Sequence, residues 1–417
     1  MNEQIKSLLV IGNGFDAKCG LKSNFKDFFE TATTDMSSIK GFLDTSVDYA
    51  RIFKDSLYNV LMEMNIHKLN EVLASQLKMH PITVINETVD DIGEIKKSSF
   101  GFWACYFSLK NRLPEYWYNV ESMLKDFFVK KSEDIGHRPK STSTRHKTKT
   151  QYEGMAEYIE VLLGIVNDEH NQDTVRSDLL YLSYMDKITQ KLIYLLINIY
   201  GYDPRSEELS DFLLDQLKIF EQKFSDYLKQ EILKTPIYEP ERKRILGELS
   251  QNGEFNLLNF NYTQPEVSNL QVSRNIHSVL NNRPIFGIDS DKVHANEPYY
   301  KFTKTYRIMR LATTSEDKQL LASSIDKIAF YGHSLSEADY SYFQAIFDFY
   351  SIYSNDIKLV FYYSKFGQYT AEEVARDQFD KVSSLLEAYG NKIPNKGKNL
   401  LPKMLLENRV KILELKV

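Results

Sequence analysis

Lys6-Ser7-Leu8-Leu9-Val10-Ile11-Gly12-Asn13-Gly14-Phe15-Asp16 is the stretch that decides the fold. Its apolar run from Leu8 to Ile11 stops at a glycine, as a strand buried on both faces of a parallel sheet does. A turn from such a strand into a helix leaves backbone N–H groups that point at any bound anion. Glycine removes the side chain that would keep a pyrophosphate away. Gly12, Asn13, Gly14 and Phe15 are therefore the first candidates for contact with a nucleotide's phosphates. A dehydrogenase fingerprint needs an acidic residue at the end of a second strand about 20 positions on. Residues 24–48 read as helical and then polar instead, and no G-x-x-x-x-G-K-[ST] occurs, which excludes a P-loop.

Outward from this strand, Asn24 opens a helical stretch, and apolar residues recur at helical spacing over 49–78, 100–130, 152–166, 175–201 and 206–249. Strand-like runs return at Phe255–Phe260, Arg283–Ile288, Ile325–Tyr331, Ile357–Tyr363 and Val410–Leu415. Helical patterns such as Ala338–Tyr350 and Thr370–Tyr389 separate most of them. Alternating strands and helices predict an α/β fold with a mainly parallel, Rossmann-like sheet covered on both faces. The expected division is a nucleotide-binding core of residues 1–45 plus 250–417 and a large α-helical insertion over 46–249. The basic, Ser/Thr-rich segment 135–151 within the insertion reads as a surface loop.

The chain has 417 residues, long enough for one elaborated domain or two, and 42% of it is hydrophobic, with 27 Tyr and 25 Phe to build a core. A net charge of −5, from 52 Lys plus Arg and 57 Asp plus Glu, argues against nucleic acid as an obligatory partner. The only cysteines, Cys19 and Cys105, make neither a metal-spaced pair nor a disulfide framework. The first residues lack a signal-peptide core, and the longest later apolar stretch, 191–202, falls short of the ~20 residues of a membrane helix. A cytoplasmic protein without metal or membrane contact is the expectation.

Two further motifs close on strands. Leu257-Leu258-Asn259-Phe260-Asn261-Tyr262-Thr263 ends an apolar run in polar residues, and Asn275-Ile276-His277 follows. An amide that orients a hydroxyl or water, beside an imidazole that takes its proton, suits chemistry on a sugar. The same residues also suit a turn-capping Asn261 and an interior His277. Tyr331-Gly332-His333-Ser334-Leu335-Ser336 follows the run IDKIAF and precedes a helix. It resembles the nucleophile elbow of α/β-hydrolases, but its fifth position is Ser336 rather than glycine. No histidine follows His333, so the order Ser, acid, His cannot be completed. A second glycine turn, with Gly332, His333, Ser334 and Leu335 against ribose or phosphate, is the better reading. Asp339 is expected near the N-terminus of the next helix.

Ile11-Gly12-Asn13-Gly14-Phe15-Asp16 with Gly20 and Phe25, Asn259-Phe260-Asn261-Tyr262-Thr263, His277, and Gly332-His333-Ser334-Leu335 with Asp339, in this order, resemble the AbiH-like abortive-infection proteins of bacteria. Trp117 and Glu121 look like that family's internal Trp-x-x-x-Glu element. The family in turn looks like a distant version of the sirtuin-type fold, whose members bind NAD and cut its nicotinamide–ribose bond. On that resemblance Gly12 and Gly14 would hold the pyrophosphate, Asn261 would contact the ribose, His277 would be the catalytic base, and Gly332, Ser334 and Leu335 would meet the adenosine end. Asp16 would stabilise the ribose cation or orient the sugar. The sequence departs from the pattern at Ser278 (glycine expected), Thr263 (aspartate in sirtuins) and Asp16 (a small residue in sirtuins), and no four-cysteine zinc site is possible.

The resemblance implies an antiphage effector that binds an adenine dinucleotide and hydrolyses NAD. A non-catalytic nucleotide sensor or adaptor, and an effector acting on RNA through the basic stretch 137–149, are the alternatives. The helical insertion is where self-association or a defence-system partner would be sought.

Overall fold

The computed structural model describes residues 5–31, 101–109, 117–129, 149–166, 187–194, 196, 200–204, 206–290, 293–312, 319–323, 325–336, 339–365, 367–393 and 399–415. The helical stretch 49–78, most of the basic segment 135–151 and the start of the 175–201 stretch lie outside the described residues. The chain divides into two compact units. The first comprises residues 1–28, 224–285 and 304–417, and the second 29–223 and 286–303.

The first unit is an α/β layer structure. Its strands are β1 (Ser7–Ile11), β2 (Phe255–Asn259), β3 (Leu270–Asn275), β4 (Lys327–Tyr331), β5 (Lys358–Tyr363) and β6 (Val410–Glu414). They form one six-stranded sheet in the order β3-β2-β1-β4-β5-β6, every pairing parallel. The helices are α1 (Asn13–Lys18), α2 (Phe25–Thr31), α3 (Leu209–Lys234), α4 (Tyr238–Ser250), α5 (Lys304–Ala312), α6 (Tyr340–Phe349), α7 (Ala371–Gly390) and α8 (Leu400–Leu406), the division between units falling within α2 and α3.

Alternation along the strands builds two cores. Leu8 and Val10 of β1 point to one face, where Phe330, Phe343, Phe347, Leu359, Phe361 and Leu385 join them. Leu9 and Ile11 point to the other, with Phe15, Cys19, Tyr238, Ile245 and Leu257. Burial of both faces is why these strands read as unbroken apolar runs rather than alternating ones. Helix α7 begins at a capping box, Thr370 Oγ1 accepting from the Glu373 N–H and the Glu373 carboxylate from the Thr370 N–H.

One expected strand is absent. Residues 283–288 run irregularly, with only an isolated parallel bridge between Ile288 and Thr303. Arg283 takes φ +69 immediately before Pro284, which breaks an extended run. The strand beside β2 is instead the preceding segment 270–275, which is only part-buried and rich in polar residues.

The second unit, among its described residues, is helical: 101–109, 117–128, 151–166, 187–194 and the first turns of α3. Trp103 anchors it, ringed by Phe102, Tyr106, Phe107, Phe127, Phe128 and Phe302, with its indole N–H donating to the Leu213 carbonyl at 2.8 Å. Among the described residues no helix is long and apolar enough to cross a membrane.

Candidate active site at the carboxyl ends of four strands

The sheet order changes direction between β1 and β4, and in open α/β sheets ligands bind outside the carboxyl ends of the strands at such a point. The motifs singled out from sequence all follow those ends. Gly12 succeeds β1, Asn261 and Thr263 succeed β2, His277 succeeds β3 and Gly332 succeeds β4.

The two glycine turns meet in direct backbone contact. The Gly14 N–H donates to the Gly332 carbonyl at 2.8 Å and the Gly12 N–H to the Tyr331 carbonyl at 3.2 Å, while the Phe15 N–H donates to the Gly12 carbonyl. A Cβ on Gly12 would lie 2.7 Å from His333 Cα, and one on Gly14 2.9 Å from Gly332 Cα. The requirement for glycine at these positions thus comes from the neighbouring turn. The pyrophosphate cradle expected of Gly12 and Gly14 is not made by their amides, which are already bonded within the protein. Asn13 donates through Nδ2 to Asn24 Oδ1, and Phe15 is a core residue with its ring edge-on to Tyr331.

Asp16 lies in the layer of α4. It is buried, and Tyr238 donates to its Oδ1 at 2.7 Å while Thr263 Oγ1 donates at 3.0 Å to Oδ2. Arg242 in turn donates to the Tyr238 hydroxyl at 3.3 Å and to the Gln264 carbonyl. Burial raises the Asp16 carboxyl from 3.8 to about 6, against the opposing pull of the Tyr238 hydrogen bond and the Arg242 charge. These hydrogen bonds tie Asp16 of α1 to α4 and to the loop that carries Asn261. Because the folded state keeps this proton to higher pH than the unfolded chain, stability contributed by Asp16 is full below pH 3.8 and lost as pH rises to about 6. A shift of that size corresponds to roughly 3 kcal/mol. Urea denaturation from pH 4.5 to 7.5 is therefore expected to show Asp16→Asn gaining on the unmodified protein as pH rises; a gap constant across that range would contradict this assignment.

A second buried polar cluster occupies the other layer. Lys304 Nζ lies 2.8 Å from Asp339 Oδ1, with side-chain exposures of 3% and 0%. His333 Nε2 lies 3.4 Å from Asp339 Oδ2, while His333 Nδ1 accepts the Leu335 N–H at 2.9 Å. That hydrogen bond fixes the histidine tautomer and steadies Leu335, a non-glycine residue at φ +53. Phe260 packs against both imidazoles, its centroid 4.4 Å from that of His333 and 5.9 Å from that of His277. His277 is fully buried, and burial followed by the Lys304 charge lowers it to about 3. It is neutral throughout the physiological range. Asp339 is held well below the usual carboxylate range: burial works against its charge, but Lys304 and the two histidines outweigh it. Ser278 has φ +66, which is why glycine is expected after the histidine.

Asn261 is the distinctive member. Its side chain is almost wholly buried, yet neither its amide oxygen nor its amide nitrogen has a hydrogen-bond partner. Ser334 and Ser336 also carry buried, unpartnered hydroxyl oxygens. A buried primary amide without partners is costly, and such groups in native proteins require an explanation such as a bound ligand. Sequence reasoning did not find Lys304, Tyr238 or Arg242, none of which sits in a recognisable motif.

A family profile described as Bacteriophage abortive infection AbiH matches residues 8–363, spanning β1 to the end of β5. No curated protein and no solved structure gives a significant match to the chain.

Proposed function

The chain belongs to the bacteriophage abortive infection AbiH family, and on that footing we propose that it is a phage-defence effector that binds an adenine dinucleotide at the carboxyl edge of β1–β4 and hydrolyses the nicotinamide–ribose bond of NAD. The observation that carries the reading is the sequestered, partnerless amide of Asn261 in the loop between β2 and β3. An amide offers one acceptor and two donors, the complement of a ribose hydroxyl or an attacking water.

In this reading the carbon–nitrogen bond of the nicotinamide riboside breaks with its electron pair returning to the ring, so nicotinamide leaves neutral and positive charge develops on the ribose. Water held by Asn261 adds to C1′, and its proton passes to His277. A water joined to a cationic sugar carbon is strongly acidic, so even the weakly basic His277 can accept its proton. Ser334 supplies a hydroxyl for the rest of the nucleotide. Two of the three departures from the sirtuin pattern support the likeness, because Thr263 and Asp16 touch. A carboxylate absent after β2 is supplied from α1.

Nicotinamide release is the test. Asn261→Ala and His277→Ala are each expected to lower turnover by about 10²–10⁴-fold. Because the Asn261 amide makes no internal hydrogen bond, Asn261→Ala is also expected to leave stability unchanged or higher. Normal turnover in a folded His277→Ala protein would sink the proposal. The low basicity of His277 favours one other reading, a nucleotide sensor without catalysis, and ADP-ribose binding by calorimetry with no nicotinamide released over hours selects it. The RNA alternative rests on 137–149, of which all but Lys149 lies outside the described residues.

A further inference from the structure

The loop that presents Asn261 is clamped by two other asparagines. Asn259, the last residue of β2, and Asn275, the last residue of β3, are register partners in the parallel pairing. Asn259 Oδ1 accepts the Asn261 N–H at 2.9 Å, and Asn259 Nδ2 donates to the Thr263 carbonyl at 2.6 Å. Asn275 Nδ2 donates to the Asn261 carbonyl at 2.8 Å and to the Thr263 carbonyl at 3.0 Å. The Tyr262 carbonyl accepts from the Leu280 N–H at 3.1 Å. Beyond the ends of the strands the sheet ladder can no longer hold the backbone, and side-chain amides take over its pairing.

We infer that Asn259 and Asn275 are positioning residues whose function is to hold the 260–263 loop so that the amide of Asn261 faces the ligand. Two amides are spent on the backbone so that the third stays available. Ordinary loop stabilisation does not need a neighbouring buried amide to remain unbonded. Here the donors of Asn275 and both groups of Asn259 are satisfied within the loop, and only the side chain of Asn261 is left with neither group bonded.

The inference rests on the reading of Asn261 given above, and a double-mutant cycle separates the two. Asn275 is the better target because it lies on the edge strand and is only half-buried. Asn275→Ala is expected to lower kcat for nicotinamide release by about 10–100-fold, the scale of a misplacement near 1 Å, with KM within about twofold. Asn261→Ala/Asn275→Ala is expected to be no slower than Asn261→Ala alone, since Asn275 acts through Asn261. Additive losses would overturn the inference while leaving the NAD reading intact. Absence of nicotinamide release by the unmodified protein would instead overturn the NAD reading. The inference is then decided by the side-chain amide resonances of Asn261, assigned by their loss in Asn261→Ala. A changed position or line width in Asn275→Ala supports the clamp, and unchanged resonances overturn it. Asn275→Asp, which keeps the side-chain shape but removes the donors, provides the same readouts if Asn275→Ala does not fold.

Discussion

Gly332→Ala is expected to yield little folded protein. The new methyl carbon would lie 2.2 Å from the Phe15 nitrogen and 2.7 Å from the Gly14 carbonyl carbon, both backbone atoms at the head of α1. They cannot retreat without breaking the Gly14 N–H bond to the Gly332 carbonyl and opening the β1–β4 pairing at the centre of the sheet. Residue 332 also has φ +68, where any side chain adds about 1–2 kcal/mol of strain. Together these place the loss at about 4 kcal/mol or more, a large share of the ~5–15 kcal/mol that holds a typical domain folded. Gly367 provides the control. It has φ +57, and a methyl carbon added there would meet no heavy atom within 4 Å, so Gly367→Ala carries the backbone strain alone. Urea midpoints should separate the two variants clearly; equal losses would mean that the contact between the turns is not tight.

Asp339→Ala carries the second large effect. It would leave the Lys304 ammonium, 3% exposed, without its carboxylate, and breaking a buried ion pair from one side costs about 3–5 kcal/mol. Replacing both partners by apolar groups of similar size, as in Lys304→Met/Asp339→Leu, is expected to restore most of that loss. Denaturation curves for the single and double variants test the pair directly. A double variant as unstable as Asp339→Ala would show that the carboxylate serves His333 more than Lys304. Loss of the Lys304 charge should also let His277 take up a proton more readily, since that charge is second only to burial in holding it down. A histidine C–H proton shift followed against pH in Lys304→Met reads this out.

Much of the sheet was legible in the sequence because a parallel sheet buries both faces. β1, β2, β4 and β5 stand out as apolar runs close to their true bounds, and the part-buried edge strand β6 is marked by its alternating Val410, Ile412 and aliphatic neighbours. β3 was not, because Gln271, Ser273 and Arg274 make an edge strand whose stability comes from one neighbour and not from its own hydrophobicity. The false strand at 283–288 had the opposite fault. Ile285, Phe286 and Ile288 are indeed buried, but in irregular backbone, and burial alone does not specify conformation. At the site, the end of the run over 255–260 pointed to Asn261, while the strand that carries His277 to the same edge was not read. What the sequence withheld was pairing across distance: Tyr238 meets Asp16 from 222 residues away, and Lys304 meets Asp339 with no pattern to announce either. Gly12 and Gly14 were read for a phosphate alone, because their close approach to Gly332 and His333, which also demands glycine, spans some 320 residues of sequence.

The central position of β1 has a consequence for how the protein is made. Ser7 pairs with Phe255, so 248 residues must be translated before the first lateral partner of β1 exists, and more again before β4 does. At ribosomal speeds of ~5–20 residues per second that interval is about 12–50 s. Throughout it a short, strongly apolar segment has no native neighbour, which makes nascent chains dependent on chaperone cover and makes a bulky fusion immediately ahead of Ser7 the insertion most able to spoil biogenesis.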